Sequence, residues 1–155
     1  MTISIINNLR GSQVPEQAWA RLLAFYLGSL GLPKASLTLL VAGDQAVRGL
    51  NRRWRGIDKA TDVLSFPALA ERPPRGYAGH LGDLALDWPY VLRHHPRFEA
   101  SLSRETSLLL LHGCLHLCGQ HHDSPDQDAA LWRAQRRLLK LAGRRASALP
   151  LPEPR

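Results

Sequence analysis

The stretch His112-Gly113-Cys114-Leu115-His116-Leu117-Cys118-Gly119-Gln120-His121-His122 follows a run of four leucines, Leu108 to Leu111. The leucines read as the buried body of a helix, which the stretch continues. Residues four apart on a helix stand one above the other on a single face, so His112 and His116 point the same way. Two imidazoles at that spacing are a ready pair of metal ligands. Gly119 can take the left-handed conformation that ends a helix, letting the chain fold back and bring His122 toward the same point. His112, His116 and His122 would then supply three nitrogens and leave a fourth position open, the form of a catalytic zinc site. A single histidine on an apolar helix is more often a satisfied core residue; three around a glycine favour a metal. His121 is one position off the pattern and reads as a spare: a group that supports a ligand, an alternative ligand or, more readily, a solvated turn residue. Cys114 and Cys118 each lie two residues beyond a histidine, about 200° around the helix. They are expected to face the core as small apolar groups, with a Cys-based zinc site as the weaker alternative.

The spacing resembles the metzincin protease motif, His-Glu-x2-His-x2-Gly-x2-His, except that Gly113 stands where the proteases carry their general-base glutamate. The glycine version resembles instead the YbeY family of bacterial endoribonucleases and ribosomal-RNA maturation factors. Its signature, His-Gly-x-Leu-His-Leu-x-Gly-Tyr-Asp-His, is met at 112–122 apart from Gln120-His121. A second block, Leu50-Asn51-Arg52-Arg53-Trp54-Arg55-Gly56-Ile57-Asp58-Lys59-Ala60-Thr61-Asp62-Val63-Leu64-Ser65-Phe66-Pro67, is similar to another family segment, and Leu81-Gly82-Asp83-Leu84 to a third. The blocks run in the family's order, and the resemblance covers about residues 1 to 143.

The resemblance implies an α+β fold, a small mixed β-sheet packed with helices around a central metal-binding helix. It implies one domain over 1–143; from Gly143 on, the Ala/Pro/Arg composition reads as loosening into a flexible tail over 144–155. It also implies a zinc-dependent, single-strand-specific endoribonuclease with one Zn2+ per chain. Such an enzyme acts in ribosomal RNA (16S precursor) processing, ribosome maturation and quality control. Its expected partners are ribosomal RNA and the small ribosomal subunit, with an assembly GTPase as a further candidate. Arg55 matches the family's functional arginine and is the expected catalytic residue. Its planar fork of donors suits phosphate oxygens and charge that builds during cleavage. The plain alternative for Arg55 is a surface residue or an ion pair with Asp58. Arg52, Arg55 and Lys59 form the candidate RNA-binding group, although Arg48 and Arg52 alone would read as a solvated face. With Gly113 at the glutamate position the general base must come from elsewhere, Asp123 being one substitute, or be the metal hydroxide itself. Whether water or the RNA 2′-hydroxyl attacks is open. Two rival readings are a metallopeptidase-like hydrolase and a non-catalytic ribosome-assembly factor with a structural zinc.

Composition sets outer bounds. At 155 residues, with 45% hydrophobic and 21% charged, the chain has the make-up of one globular domain. No apolar run approaches a membrane span, and the N-terminus lacks a signal-peptide pattern. Two cysteines expected on one buried face fit a reducing compartment, the cytoplasm. The net charge of +7 suits an acidic partner such as nucleic acid. Only Lys34, Lys59 and Lys140 are lysines, however, and so strong an arginine bias can come from genome composition alone.

Along the chain, residues 2–7 read as a strand. Pro15 opens a helix with a stripe of Ala18, Leu22, Leu23, Tyr26 and Leu30, stopped by Gly31 and Pro33. Ser36 to Val41 is a β-type run, and Asp44 is expected to cap a helix reaching Trp54. Val63 to Phe66 and Gly82 to Leu86 read as strands. His80 is a candidate that reaches the site, as are Asp83 and Asp87, though strand-end aspartates more often cap a neighbour. Trp88 to His95 is a short helix stopped by Pro96, and the side chains of His94 and His95 diverge. The metal helix is expected from Ser101 or Ser103 to Leu117. Ser124-Pro125-Asp126-Gln127 carries the marks of a capped helix start. The helix it opens turns Leu131, Leu138, Leu139 and Leu141 inward and Arg133, Arg136, Arg137 and Lys140 outward.

Overall fold

A computed structural model describes residues 2–94, 99–119 and 124–144. The elements run β1 (Thr2–Asn7), α1 (Glu16–Ser29), β2 (Ser36–Ala42), α2 (Asp44–Arg55), β3 (Val63–Pro67), β4 (His80–Asp87), α3 (Trp88–His94), α4 (Glu99–Leu117) and α5 (Pro125–Arg144). The strands form one mixed sheet in the order β1-β2-β4-β3. β1, β2 and β4 are parallel, and β3 is antiparallel to β4 along its edge. This is the expected α+β class.

The sheet sorts its side chains by period two. Leu37, Leu39 and Val41 of β2 and Leu84 and Leu86 of β4 enter the larger core, with Trp19, Leu22, Leu23, Tyr26 and Leu27 of α1 and the leucines of α4. On the other face Ala42, Leu64 and Ala85 meet Val47 of α2 in a smaller cluster. Leu81 and Leu84 are three apart, yet both are buried in the larger core. A β-bulge reconciles them: β4 passes from His80 to Asp83 while β2 passes only from Ser36 to Thr38. Gly82 forms that bulge with φ +137°, a backbone that L side chains rarely adopt. A Cβ there would run into the Phe66 carbonyl and Ala68 N, and would meet Leu117 Cδ2 at 2.9 Å.

Several expectations shift at the helix ends. The N-cap of α2 is Gly43 in extended conformation, not Asp44. Asp44 is the first helical residue, where its carboxylate gains from the helix dipole and pairs with Arg93 of α3 at 2.8 Å. Pro15 is the N-cap of α1 and not its first residue, and the buried stripe of α1 also includes Trp19 and Leu27. The α4 helix starts at Glu99, ahead of Ser101. Ser124 caps α5 as expected, its Oγ accepting from Gln127 N at 3.2 Å. That helix runs to Arg144, past the expected loosening at Gly143. His95, Pro96 and residues 145–155 lie outside the described residues, as do the side chains of Leu131, Leu139 and Leu141. Among the described residues no helix is long and apolar enough to cross a membrane.

Asp87 is fully buried, and its Oδ1 accepts from Tyr90 N at 3.1 Å to cap α3. Burial first, then the neighbouring Asp44 carboxyl, pushes the Asp87 carboxyl up to about 7.

These placements can be tested at Gly82 and at Asp87. Gly82→Ala should destabilise the protein by at least about 2 kcal/mol through backbone strain and overpacking, read in urea denaturation; a wild-type midpoint would contradict the bulge. For Asp87, the folded chain keeps a proton that the unfolded chain releases from about pH 4 upward. Its contribution to stability therefore falls as pH rises from about 4 through about 7. Asp87→Asn keeps the cap, should flatten that fall, and an unchanged pH slope would contradict the assignment.

Candidate functional site

Helix α4 is buried on most of its circumference: Leu110, Leu111, Cys114, Leu115 and Leu117 are all in the core. Gly113 forms the point of contact with β4. A Cβ at Gly113 would meet Leu84 Cδ2 at 2.8 Å and Cδ1 at 3.2 Å, so the helix backbone lies directly on the Leu84 side chain. No larger side chain fits there without moving core leucines. The helix ends as expected, with Gly119 at φ +85° and its N–H donating to the His116 carbonyl at 3.1 Å.

His112 and His116 are half-buried and stand edge-to-face, with ring centroids 4.5 Å apart. Their Nε2 atoms approach to 2.9 Å, so both rings aim the same nitrogen at one point. Two neutral imidazoles converging through Nε2 are the donor set that zinc accepts. The residues present therefore fit the ion that the motif implies. Among the described residues no group of three or more His, Cys, Asp or Glu side chains forms. The expected third ligand His122, its neighbours Gln120 and His121, and the substitute base Asp123 lie outside the described residues.

The cysteines take the core role expected of them. Cys114 and Cys118 are free and buried. Burial pushes the Cys118 thiol up to about 11 and Cys114 well above its usual range, which keeps both neutral in the core.

Spacing alone does not find Gln135. It is buried on α5, and its side-chain amide contacts His112 Nδ1 at 2.8 Å. Its only sign in the sequence is its place three residues before the buried Leu138, on the inward face of a helix whose Arg133, Arg136, Arg137 and Lys140 are exposed.

Arg55 is the last residue of α2 and is exposed. Its Nη2 donates to the Ser65 carbonyl on the edge strand β3 at 2.8 Å. Among the described residues that is its hydrogen bond, and it makes none to either histidine. The two sites nevertheless share β3, since α4 packs on that strand and α2 covers Leu64 from the other face. The alternative ion pair with Asp58 goes to Arg48 instead, through Nε–Oδ1 at 2.8 Å and Nη2–Oδ2 at 3.0 Å. Arg52 and Lys59 are exposed, and the loop holding Lys59 is tied by Asn51 Nδ2 donating to the Lys59 carbonyl. His80 and Asp83 bond to each other at 3.1 Å, and the other His80 ring nitrogen meets Ser36 Oγ. Neither residue joins the histidine pair. A cleft of about 840 Å³, unforeseen from the sequence, is lined by Ile6, Leu40, Leu50, Trp54, Arg55 and Phe66 among others. Trp54 stands 63% exposed beside it, with the Arg53 guanidinium 5.4 Å from its ring centroid.

A family model described as Endoribonuclease YbeY matches residues 5–143. Curated relatives of that name include one from Anaeromyxobacter sp. (strain Fw109-5), 38% identical over 126 residues, which are 81% of this chain and 64% of the relative. Another, from Thermus thermophilus, is 33% identical over 139 residues, 90% of this chain and 99% of the relative. The chain thus spans just under two thirds of the Anaeromyxobacter relative and nearly all of the Thermus one. A solution structure of a Thermotoga maritima protein shares the fold, with a TM-score of 0.59 and 21% identity over 95% of this chain and 93% of that one.

Gly113→Glu should destabilise the protein by at least about 3 kcal/mol, because it would bury a carboxylate against Leu84. Chemical denaturation within about 1 kcal/mol of wild type would contradict the close approach of α4 to β4.

Proposed function

Because the chain belongs to the endoribonuclease YbeY family, we propose that it is a zinc-dependent endoribonuclease that cuts single-stranded RNA. In this reading it acts in the cytoplasm on 16S ribosomal RNA precursor, in ribosome maturation and quality control. The small ribosomal subunit is its partner and an assembly GTPase a second one. Residues 1–143 form the working domain and 144–155 a tail. The observation that carries the reading is the pair of Nε2 atoms 2.9 Å apart on the buried helix α4.

His112 and His116 would hold the zinc, with His122 as the third ligand. Bound there, zinc would supply positive charge to the phosphodiester and acidify water. Arg55, steadied on the Ser65 carbonyl, binds a phosphate oxygen and offsets the charge that builds as the bond breaks. Arg52 and Lys59 extend that positive surface along the RNA backbone. Trp54 and Phe66 offer faces on which unpaired bases stack, which suits single strands. Gly113 stands where a metallopeptidase carries its glutamate base, which counts against that reading. A zinc that only braces the fold would not call for an arginine at the β3 edge.

Zinc-loaded protein should cleave a small-subunit RNA precursor, lose the activity to a chelator and regain it on re-addition of zinc. Arg55→Ala should retain zinc and lose about 100-fold in cleavage. His116→Ala should lose both zinc and cleavage. Cleavage that survives undiminished in both variants, with folding intact, would overturn the proposal.

A further inference from the structure

The contact between Gln135 and His112 constrains more than packing. A histidine can offer Nε2 to a cation only when its proton resides on Nδ1. The Nδ1 of His112 faces Nε2 of the buried Gln135 amide at 2.8 Å, and its own Nε2 faces His116 Nε2 at 2.9 Å. The two contacts are therefore linked through one ring. If the amide NH2 donates to Nδ1, the His112 proton must sit on Nε2, where it bridges to His116 and blocks that lone pair. If the amide turns by 180° and presents Oε1, it accepts the Nδ1 proton and both Nε2 lone pairs are free to converge. The two ends of an amide are nearly identical in shape, so the turn needs no repacking.

We infer that Gln135 is a positioning residue for the metal centre: its Oε1 accepts the Nδ1 proton of His112 and so holds the tautomer that gives Nε2 to zinc. The inference rests on the metal reading above and adds the group that prepares the ligand. The amide serves both forms of the site. Its NH2 end supports the closed imidazole pair and its oxygen supports the open one, whereas a carboxylate supports only the second. Its position suits the task. Gln135 is only 5% exposed, so water competes poorly for His112 Nδ1. It comes from α5, so closing the centre depends on the docking of α5 against α4.

The test is zinc affinity of the full-length protein, read by competition with a chromophoric chelator, together with the visible spectrum of Co2+ bound in place of zinc. Gln135→Met keeps length and removes the acceptor; it should weaken zinc binding about 10- to 100-fold and alter the cobalt band while circular dichroism stays native. Gln135→Glu restores an acceptor and should bind zinc at least as tightly as wild type. Methionine-variant affinity within about 3-fold of wild type would overturn the inference, as would a folded glutamate variant that binds about 10-fold more weakly. Should the methionine variant fail to fold, the glutamate variant decides alone by the same criterion. Wild-type protein that takes up no zinc would remove the metal reading itself. Wild-type binding matched by the methionine variant removes only the role of Gln135.

Discussion

The contact between Gly113 and Leu84 sets the rest of the molecule. A helix that rests on a sheet through a glycine comes closer than any side chain would allow, and its neighbours are fixed by helical geometry. His112 precedes the contact and His116 follows it by three residues, so both rings are carried to the rim of the interface at a set height above β4. Two other glycines support the close approach: a Cβ at Gly82 would meet Leu117, and one at Gly119 would meet the Arg72 backbone. Absence of side chains at three positions thus defines how α4 lies.

β3 gives that helix its second connection. As the edge strand it is reached from both faces, by α4 on one and by α2 on the other. The bulge at Gly82 lets Leu81 and Leu84 both point into the core while β4 still pairs with β2 and β3. Arg55 hangs from the end of α2 onto the Ser65 carbonyl. A cation at the strand edge and an imidazole pair on the helix behind it are thus tied to the same strand from separate elements.

Much of this is legible in the sequence. Every described strand and helix can be placed to within a few residues, because alternation and the 3.6-residue stripe report burial directly. The 112-to-116 spacing puts both histidines on one face, and the same arithmetic sends Cys114 and Cys118 inward. What escapes is tertiary. Strand order places β4 between β2 and β3, and no local pattern encodes that. Asp44 reads as a cap because its residue type favours the position, but Gly43 takes the cap and frees Asp44 to reach Arg93. The plain alternative for Arg55 is an ion pair with Asp58, yet it is Arg48 that pairs with it. Gln135 is 23 residues from His112, and only the packing of α5 on α4 joins them. The cleft beside Trp54 is likewise assembled from several strands and a helix.

The claim at the centre of the account is that this helix presents nitrogen to a metal and keeps its sulfur in the core. X-ray absorption at the zinc edge of the loaded full-length protein tests it most directly. The account predicts a first shell of light atoms alone, at about 2.0–2.1 Å, with the scattering pattern of imidazole rings. A sulfur shell at about 2.3 Å would mean that Cys114 or Cys118 turns out of the core to bind zinc, and would contradict it.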